Sequence, residues 1–198
     1  MKPVIWLLGL SGSGKTTLGS LLRLFLEGQG IDTELVDGDR FRREFGITGF
    51  TPADRIRNIN AIRGHVLDLQ AEGKACIVAA ITPYESMRAQ NRAMVPHYRE
   101  VWVRCSLQTL AQRDTKGLYA KAAHGGVEHL TGVSDVFDEP RHADCLIDTD
   151  RYEIGDCYEQ LRNLTLNALE EGHAWRQSMG RMLPTVPIPC LRTAAIAL

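Results

Sequence analysis

Apolar and polar positions alternate between short, nearly continuous apolar runs and longer stretches whose apolar residues recur every three or four positions. The runs at 3–8, 32–36, 75–81, 99–105 and 144–148 predict strands, and 15–28, 53–72, 84–95, 106–113 and 153–171 predict helices. Leu18, Leu21, Leu22, Phe25 and Leu26 set the period of the first helix. Strand and helix in turn are the pattern of an α/β fold, a parallel five-stranded sheet flanked by helices. The run Ala75-Cys76-Ile77-Val78-Ala79-Ala80-Ile81 is apolar throughout, as a central strand buried on both faces must be, and is expected beside the first strand. Segment 114–142, rich in Gly, His, Lys and Asp, keeps no apolar period. A stretch of that length inside a compact domain is a functional lid or is disordered, and the loop described next favours the lid. Beyond Trp175, Pro184, Pro187 and Pro189 exclude a regular helix. The expected organisation is one domain over 1–173 and a tail over 174–198.

Directly after the first apolar run stands Gly9-Leu10-Ser11-Gly12-Ser13-Gly14-Lys15-Thr16-Thr17, a complete G-x-x-x-x-G-K-[ST] phosphate loop. Glycines at Gly9, Gly12 and Gly14 let successive N–H groups, including those of Ser11, Ser13 and Thr17, turn inward around phosphates. Lys15 brings a point charge to the β/γ oxygens, and the Thr16 hydroxyl reaches Mg²⁺. The helix that follows adds its positive end. The expected fold is therefore that of the P-loop NTPases, with ATP and Mg²⁺ as cofactors.

After the second run come Asp37-Gly38-Asp39 and then Arg42. Carboxylates at the C-terminal edge of a strand point into the crevice where open α/β sheets bind ligands. The third strand ends in Thr82-Pro83-Tyr84 without an acid, which shifts the acidic role to Asp37 and Asp39. Asp39 is the candidate for orienting an attacking hydroxyl and accepting its proton, and with Thr16 for the metal. The alternative is a solvated Asp-Gly turn. Arg42, Arg55 and Arg88 each stand where a guanidinium can fork onto a phosphate or sulfate, although any one of them alone reads as a surface arginine. Phe50, at the tip of the loop before the second long helix, is a core anchor or a stacking platform for a base, and burial is the commoner fate of phenylalanine.

The 198 residues are 44% hydrophobic, enough for one core, and the formal net charge is −1. No basic excess exists for a nucleic-acid polymer or an anionic membrane, so the expected partner is a small nucleotide. Five scattered cysteines without C-x-x-C spacing suggest neither a disulfide framework nor zinc. The phosphate loop opens at Gly9, leaving no room for a cleavable signal, and no run approaches a membrane span, so a cytoplasmic location is expected.

Gly9–Thr17, Asp37-Gly38-Asp39 with Arg42, Phe50-Thr51-Pro52-x-x-Arg55-x-x-Asn58, Thr82-Pro83-Tyr84 with Arg88, Arg113-Asp114-x-Lys116-Gly117-Leu118-Tyr119, and Thr131-Gly132 with Pro140 resemble the adenylylsulfate kinase family in order and spacing over about residues 3–150. The resemblance implies transfer of the ATP γ-phosphate to the ribose 3′-hydroxyl of adenosine 5′-phosphosulfate, and a homodimer. It implies that Arg42, Arg55 and Asn58 hold the acceptor's phosphosulfate and ribose region with Asp37, Thr82 and Arg88, and that Phe50 stacks on its adenine. Lys116 would reach the phosphates from the lid beside Gly117 and Leu118, and Arg113 would serve the donor. Leu130 stands where the family has a second aromatic wall, Asn60 and Ala61 where it commonly has arginines, and Val133-Ser134-Asp135-Val136-Phe137-Asp138 replaces its Ile-Asp-x-Pro-Tyr-Glu. Two other readings are a kinase of this fold with a different nucleotide or small hydroxylated acceptor, and a non-catalytic nucleotide-binding switch. The absence of Asn-Lys-x-Asp counts against a GTPase switch.

Overall fold

The computed structural model describes residues 2–114, 116–123, 126 and 128–171. The expected tail over 174–198, with Cys190, lies outside them. In chain order the elements are β1 (Val4–Leu8), α1 (Lys15–Gly28), β2 (Thr33–Asp37), α2 (Gly38–Glu44), α3 (Pro52–Ala71), β3 (Ala75–Ala79), α4 (Glu85–Met94), β4 (Tyr98–Arg104), α5 (Leu107–Arg113), α6 (Leu118–Ala123), β5 (Cys145–Asp148) and α7 (Ile154–Glu171). The strands form one sheet in the order β2-β3-β1-β4-β5 with every pairing parallel, so β3 lies beside β1 as its apolar sequence requires.

β1 is buried on both faces, and its alternation divides the core. Val4, Trp6 and Leu8 pack with Ile59, Ile62 and Val66 of α3 and Met87 of α4. Ile5 and Leu7 pack with Leu18, Leu22 and Leu26 of α1 and with Leu161 of α7. Each apolar helix stripe thus finds a face of the same central strand.

Two short helices were not expected. α2 begins where the Asp37 side chain caps its first turn by accepting hydrogen bonds from the N–H groups of Asp39 and Arg40, both at 3.0 Å. α6 starts where the Asp114 carboxylate accepts from the N–H groups of Tyr119 and Ala120. Its Leu118, Tyr119 and Ala122 join Leu10, Cys105, Leu110 and Leu130 in a third, smaller core beside the phosphate loop. The long helix α3 carries a reciprocal capping box between Thr51 and Asp54, with Pro52 in the first turn.

At the end of β1 the chain must turn tightly over β4. Gly9 has φ 145°, and a Cβ there would lie 2.2 Å from the Val103 carbonyl oxygen. Only glycine fits. Gly9→Ala is expected to cost on the order of 3 kcal/mol in chemical denaturation. Gly64, exposed within α3 with open space around it, is the opposite case, and Gly64→Ala should add about 0.5–1 kcal/mol. A Gly9→Ala midpoint equal to wild type would show that the turn tolerates a side chain.

Candidate functional site

The loop between β1 and α1 wraps the first turn of α1, whose N-cap is Gly14 in the left-handed region with φ 100°. Lys15 is buried, and its ammonium donates to the Leu10 carbonyl at 2.7 Å and the Ser13 hydroxyl at 3.4 Å. Burial, with the neighbouring Lys116 charge second, pulls its pKa down to about 8. A cation held at a helix N-terminus by neutral oxygens is poised for an anion.

A crevice of about 240 Å³ opens on one side of this loop, at the C-terminal edges of β2 and β3. Its walls include Ser11, Gly12, Gly14, Lys15, Thr16 and Thr17 from the loop, Asp37, Asp39, Arg42 and Phe50 from the next two elements, and Arg55, Asn58, Thr82 and Lys116 from α3, the end of β3 and the lid. The Thr16 hydroxyl donates to Asp37 Oδ2 at 2.7 Å. Lys116 Nζ lies 2.5 Å from Asp39 Oδ2. Burial works against the Asp39 carboxylate, but the hydrogen bond and charge of Lys116, with Lys15 and Arg43, outweigh it and hold the group below the ordinary carboxylate range.

Two buried polar atoms of residues in the far wall have no partner among the described residues, Arg55 Nε and Asn58 Oδ1. One offers a donor and the other an acceptor, which buried groups supply only when something else completes the pairing. Phe50 is 51% exposed, and the Arg42 guanidinium lies 4.8 Å from its ring centroid while donating to the Gly49 carbonyl. Burial lowers the Arg42 pKa. The core reading of Phe50 is thereby corrected. The ring is held by the cation and presents apolar surface to the crevice.

The described residues of the segment expected to be a lid contact both the loop and the crevice wall. Tyr119 Oη donates to the Ser11 carbonyl at 2.8 Å. Arg55 Nη2 donates to the His129 carbonyl and to Asp135 Oδ2, the latter at 3.2 Å. Further along, the segment is fastened where Asp138 N–H donates to the Pro83 carbonyl and Asp138 Oδ2 accepts from Glu85 N–H, both at 2.9 Å.

Several expected residues stand outside the crevice lining or have other partners. Arg88 is fully buried, with Nη1 donating to the Thr82 and Pro83 carbonyls, Nη2 to the Asp138 carbonyl, and Nε to Glu85. It braces the wall and is absent from the lining. Leu130 is buried against Leu10 and Tyr119 in the third core and does not line the crevice. Gly117 and Leu118 are also outside the lining, the first serving the turn into α6 with φ 63° and the second packing in that same core. The acid in contact with Thr16 is Asp37, while Asp39 faces Lys116.

A second pocket of about 430 Å³ lies on the other flank of the loop, between Gly12, Gly14 and Thr17, Arg113, and the turn Thr149-Asp150-Arg151-Tyr152 leading into α7. Arg113 Nη2 donates to the Thr149 carbonyl at 2.7 Å, and the Thr149 hydroxyl donates to the Ser13 carbonyl at 3.3 Å. The turn after the last strand was missed in the sequence reading, although its position at a strand's C-terminal edge was the available signal.

The adenylylsulphate kinase family matches the chain over residues 1–148. The adenylyl-sulfate kinase of Chloroflexus aurantiacus is 42% identical over 160 residues, which are 80% of this chain and 86% of that protein. A probable bifunctional SAT/APS kinase 2 of Sorangium cellulosum is 40% identical over 148 residues, 74% of this chain and 25% of the longer protein. Among solved structures, the Mycobacterium tuberculosis APS kinase in complex with AMPPNP and APS has a TM-score of 0.75 at 32% identity, covering 85% of this chain and 98% of that one.

The depressed Lys15 pKa makes nucleotide binding proton-linked. The free site is half deprotonated near pH 8, and a bound phosphate favours the ammonium, so binding takes up a proton above that pH and almost none at pH 6.5. ATP affinity should fall about tenfold for each pH unit above about 8. Titration calorimetry in buffers of different ionisation enthalpy reads the uptake, and Lys15→Ala should abolish it. For folding the sign is opposite to that of an ion pair. Between about 8 and 10.5 the unfolded chain holds more protons at this residue, so its contribution to stability rises with pH.

Proposed function

The chain belongs to the adenylylsulphate kinase family, and from that premise we propose that it transfers the γ-phosphate of ATP to the 3′-hydroxyl of adenosine 5′-phosphosulfate. The observation that carries this reading is one crevice lined by the phosphate loop, Asp39, Arg55, Asn58 and the exposed Phe50, in whose wall Arg55 Nε and Asn58 Oδ1 have no partner among the described residues. A nucleotide with an anionic tail supplies an oxygen for the arginine, a donor for the asparagine and a flat face for the ring.

In this reading the donor's phosphates lie in the loop on Lys15 and its base occupies the pocket beside Arg113 and the 149–152 turn. The acceptor lies against Arg42, Phe50, Arg55 and Asn58. Its hydroxyl oxygen bonds to Pγ as the bond from Pγ to the β,γ-bridging oxygen breaks, with the electron pair leaving on ADP and the hydroxyl proton passing to Asp39. Lys116 moves from Asp39 to the transferred phosphoryl oxygens, which frees the carboxylate from the partner that depresses its basicity. Thr16 Oγ1 and Asp37, hard oxygen donors in contact at the loop, are suited to Mg²⁺ and would hold it together with phosphate oxygens and water. Mg²⁺ would supply charge neutralisation at the β- and γ-phosphates.

The reading includes the homodimer and the cytoplasmic location that the sequence suggested. Among the described residues no helix is long and apolar enough to cross a membrane. Leu130, the residue that motivated a different acceptor, lies outside the crevice lining.

ADP release from ATP should accelerate sharply when adenosine 5′-phosphosulfate is added. Wild-type protein that ignores this acceptor at every concentration while turning over another nucleotide or a sugar acid would replace the reading with a different acceptor on the same donor site. Asp39→Asn should lower kcat by about 10²–10⁴ with the ATP KM nearly unchanged. A loss of only a few-fold would remove Asp39 from the chemistry.

A further inference from the structure

Arg55 connects two regions that the kinase reading treats separately. It sits on α3, 5% exposed, and lines the acceptor crevice. Its Nη2 is engaged from the opposite side by the lid, through the His129 carbonyl and the Asp135 carboxylate. Asp135 Oδ2 accepts from the arginine, while Oδ1 lies 3.2 Å from His129 Nδ1. The loop that carries Asp135 is closed on itself. Ser134 and Asp135 N–H groups donate to the Leu130 carbonyl at 3.0 and 3.1 Å, Gly132 N–H donates to the Asp135 carbonyl at 2.7 Å, and the Ser134 hydroxyl accepts from Leu130 N–H at 2.9 Å. Leu130 plugs this loop into the small core beside the phosphate loop, and a Cβ on Gly132 would meet Leu10 at 2.8 Å. The carboxylate is therefore presented by a compact turn pressed against the loop that binds phosphates.

We propose that Asp135 is a positioning residue for the acceptor, acting through Arg55. This rests on the kinase reading above. It fastens Arg55 Nη2 to the lid, so that the guanidinium, whose Nε has no partner among the described residues, is held in one orientation for the acceptor's anionic tail. An arginine that the ligand itself had to immobilise would lose rotamer entropy on binding, whereas one already held by a carboxylate and a carbonyl does not. The same contact makes the arginine report on the lid. Asp135 reaches Arg55 only where the 129–135 turn is seated, so acceptor binding and lid closure share one side chain.

The test is steady-state kinetics with the whole chain, varying each substrate in turn. Asp135→Ala is expected to raise the KM for adenosine 5′-phosphosulfate about tenfold, to leave the ATP KM within about twofold, and to be partly rescued in Asp135→Asn, which keeps the hydrogen-bond acceptor. The same substitution made in an Arg55→Lys background should add less than about twofold, because the residue through which it acts is gone. An unchanged acceptor KM, a lowered one, which would mean that Asp135 competes with the acceptor for Arg55, or equal effects on both substrates with a lowered melting temperature would each overturn the proposal. If Asp135→Ala fails to fold, Asp135→Asn, alone and in the Arg55→Lys background, decides it by a raised acceptor KM that is lost in the double variant. Failure of the kinase reading is separate and visible first, as wild-type protein that does not phosphorylate this acceptor at all.

Discussion

A lysine ammonium buried at the start of a helix is the constraint around which this molecule is arranged. Lys15 is desolvated, stands where the dipole of α1 opposes it, and rests on a carbonyl and a hydroxyl. Such a charge is tolerable because the backbone around it is equally committed. Gly9 and Gly14 hold conformations that other residues resist, and Gly9 lies so close to β4 that a side chain has no room. The nearest carboxylates do not neutralise the ammonium by direct contact. Asp37 is occupied with Thr16 and the first turn of α2, and Asp39 with Lys116. The unmet demand is for a polyanion entering from outside, which is what a nucleoside triphosphate supplies.

The loop has two flanks, and the sheet order explains why. With β1 central, the chain leaving it has β3 on one side and β4 on the other. Residues following β2 and β3 build the crevice with Asp39 and Arg55, while those following β4 and β5 build the pocket with Arg113 and Thr149. The described residues of segment 114–142 meet the loop where Tyr119 bonds to Ser11, and the first flank at Arg55, Pro83 and Glu85. The segment thereby touches the loop and the crevice wall together.

The sheet and its large helices were legible because their signals are local. β1 and β3 are apolar throughout, and α1 keeps its 3.6 period for four turns. The phosphate loop was legible because its chemistry allows little variation. α2 and α6 escaped notice because helices of seven and six residues are made by a capping carboxylate and tertiary packing more than by periodicity. Arg88 looked like an anion ligand because its partners, Thr82, Asp138 and Glu100, are distributed over the loop before α4, the 114–142 segment and the next strand. Spacing along the chain does not reveal which face of a helix turns inward. Phe50, left open between core anchor and stacking platform, is decided by a specific cation, since Arg42 holds the ring at the surface against the general preference for burial.

Trp6 lies fully buried in β1, yet its indole N–H donates to the Thr82 hydroxyl at 2.8 Å, and Thr82 lines the crevice beside the phosphate loop in a left-handed backbone conformation with φ 47°. A fluorescent ring in the core is thus one hydrogen bond away from the crevice wall, and on the opposite side of the loop from the second pocket. With Trp102 and Trp175 replaced, that ring becomes an optical reporter. Its emission would follow the polarity and hydrogen bonding of the wall, so that the filling of the crevice could be watched separately from that of the second pocket.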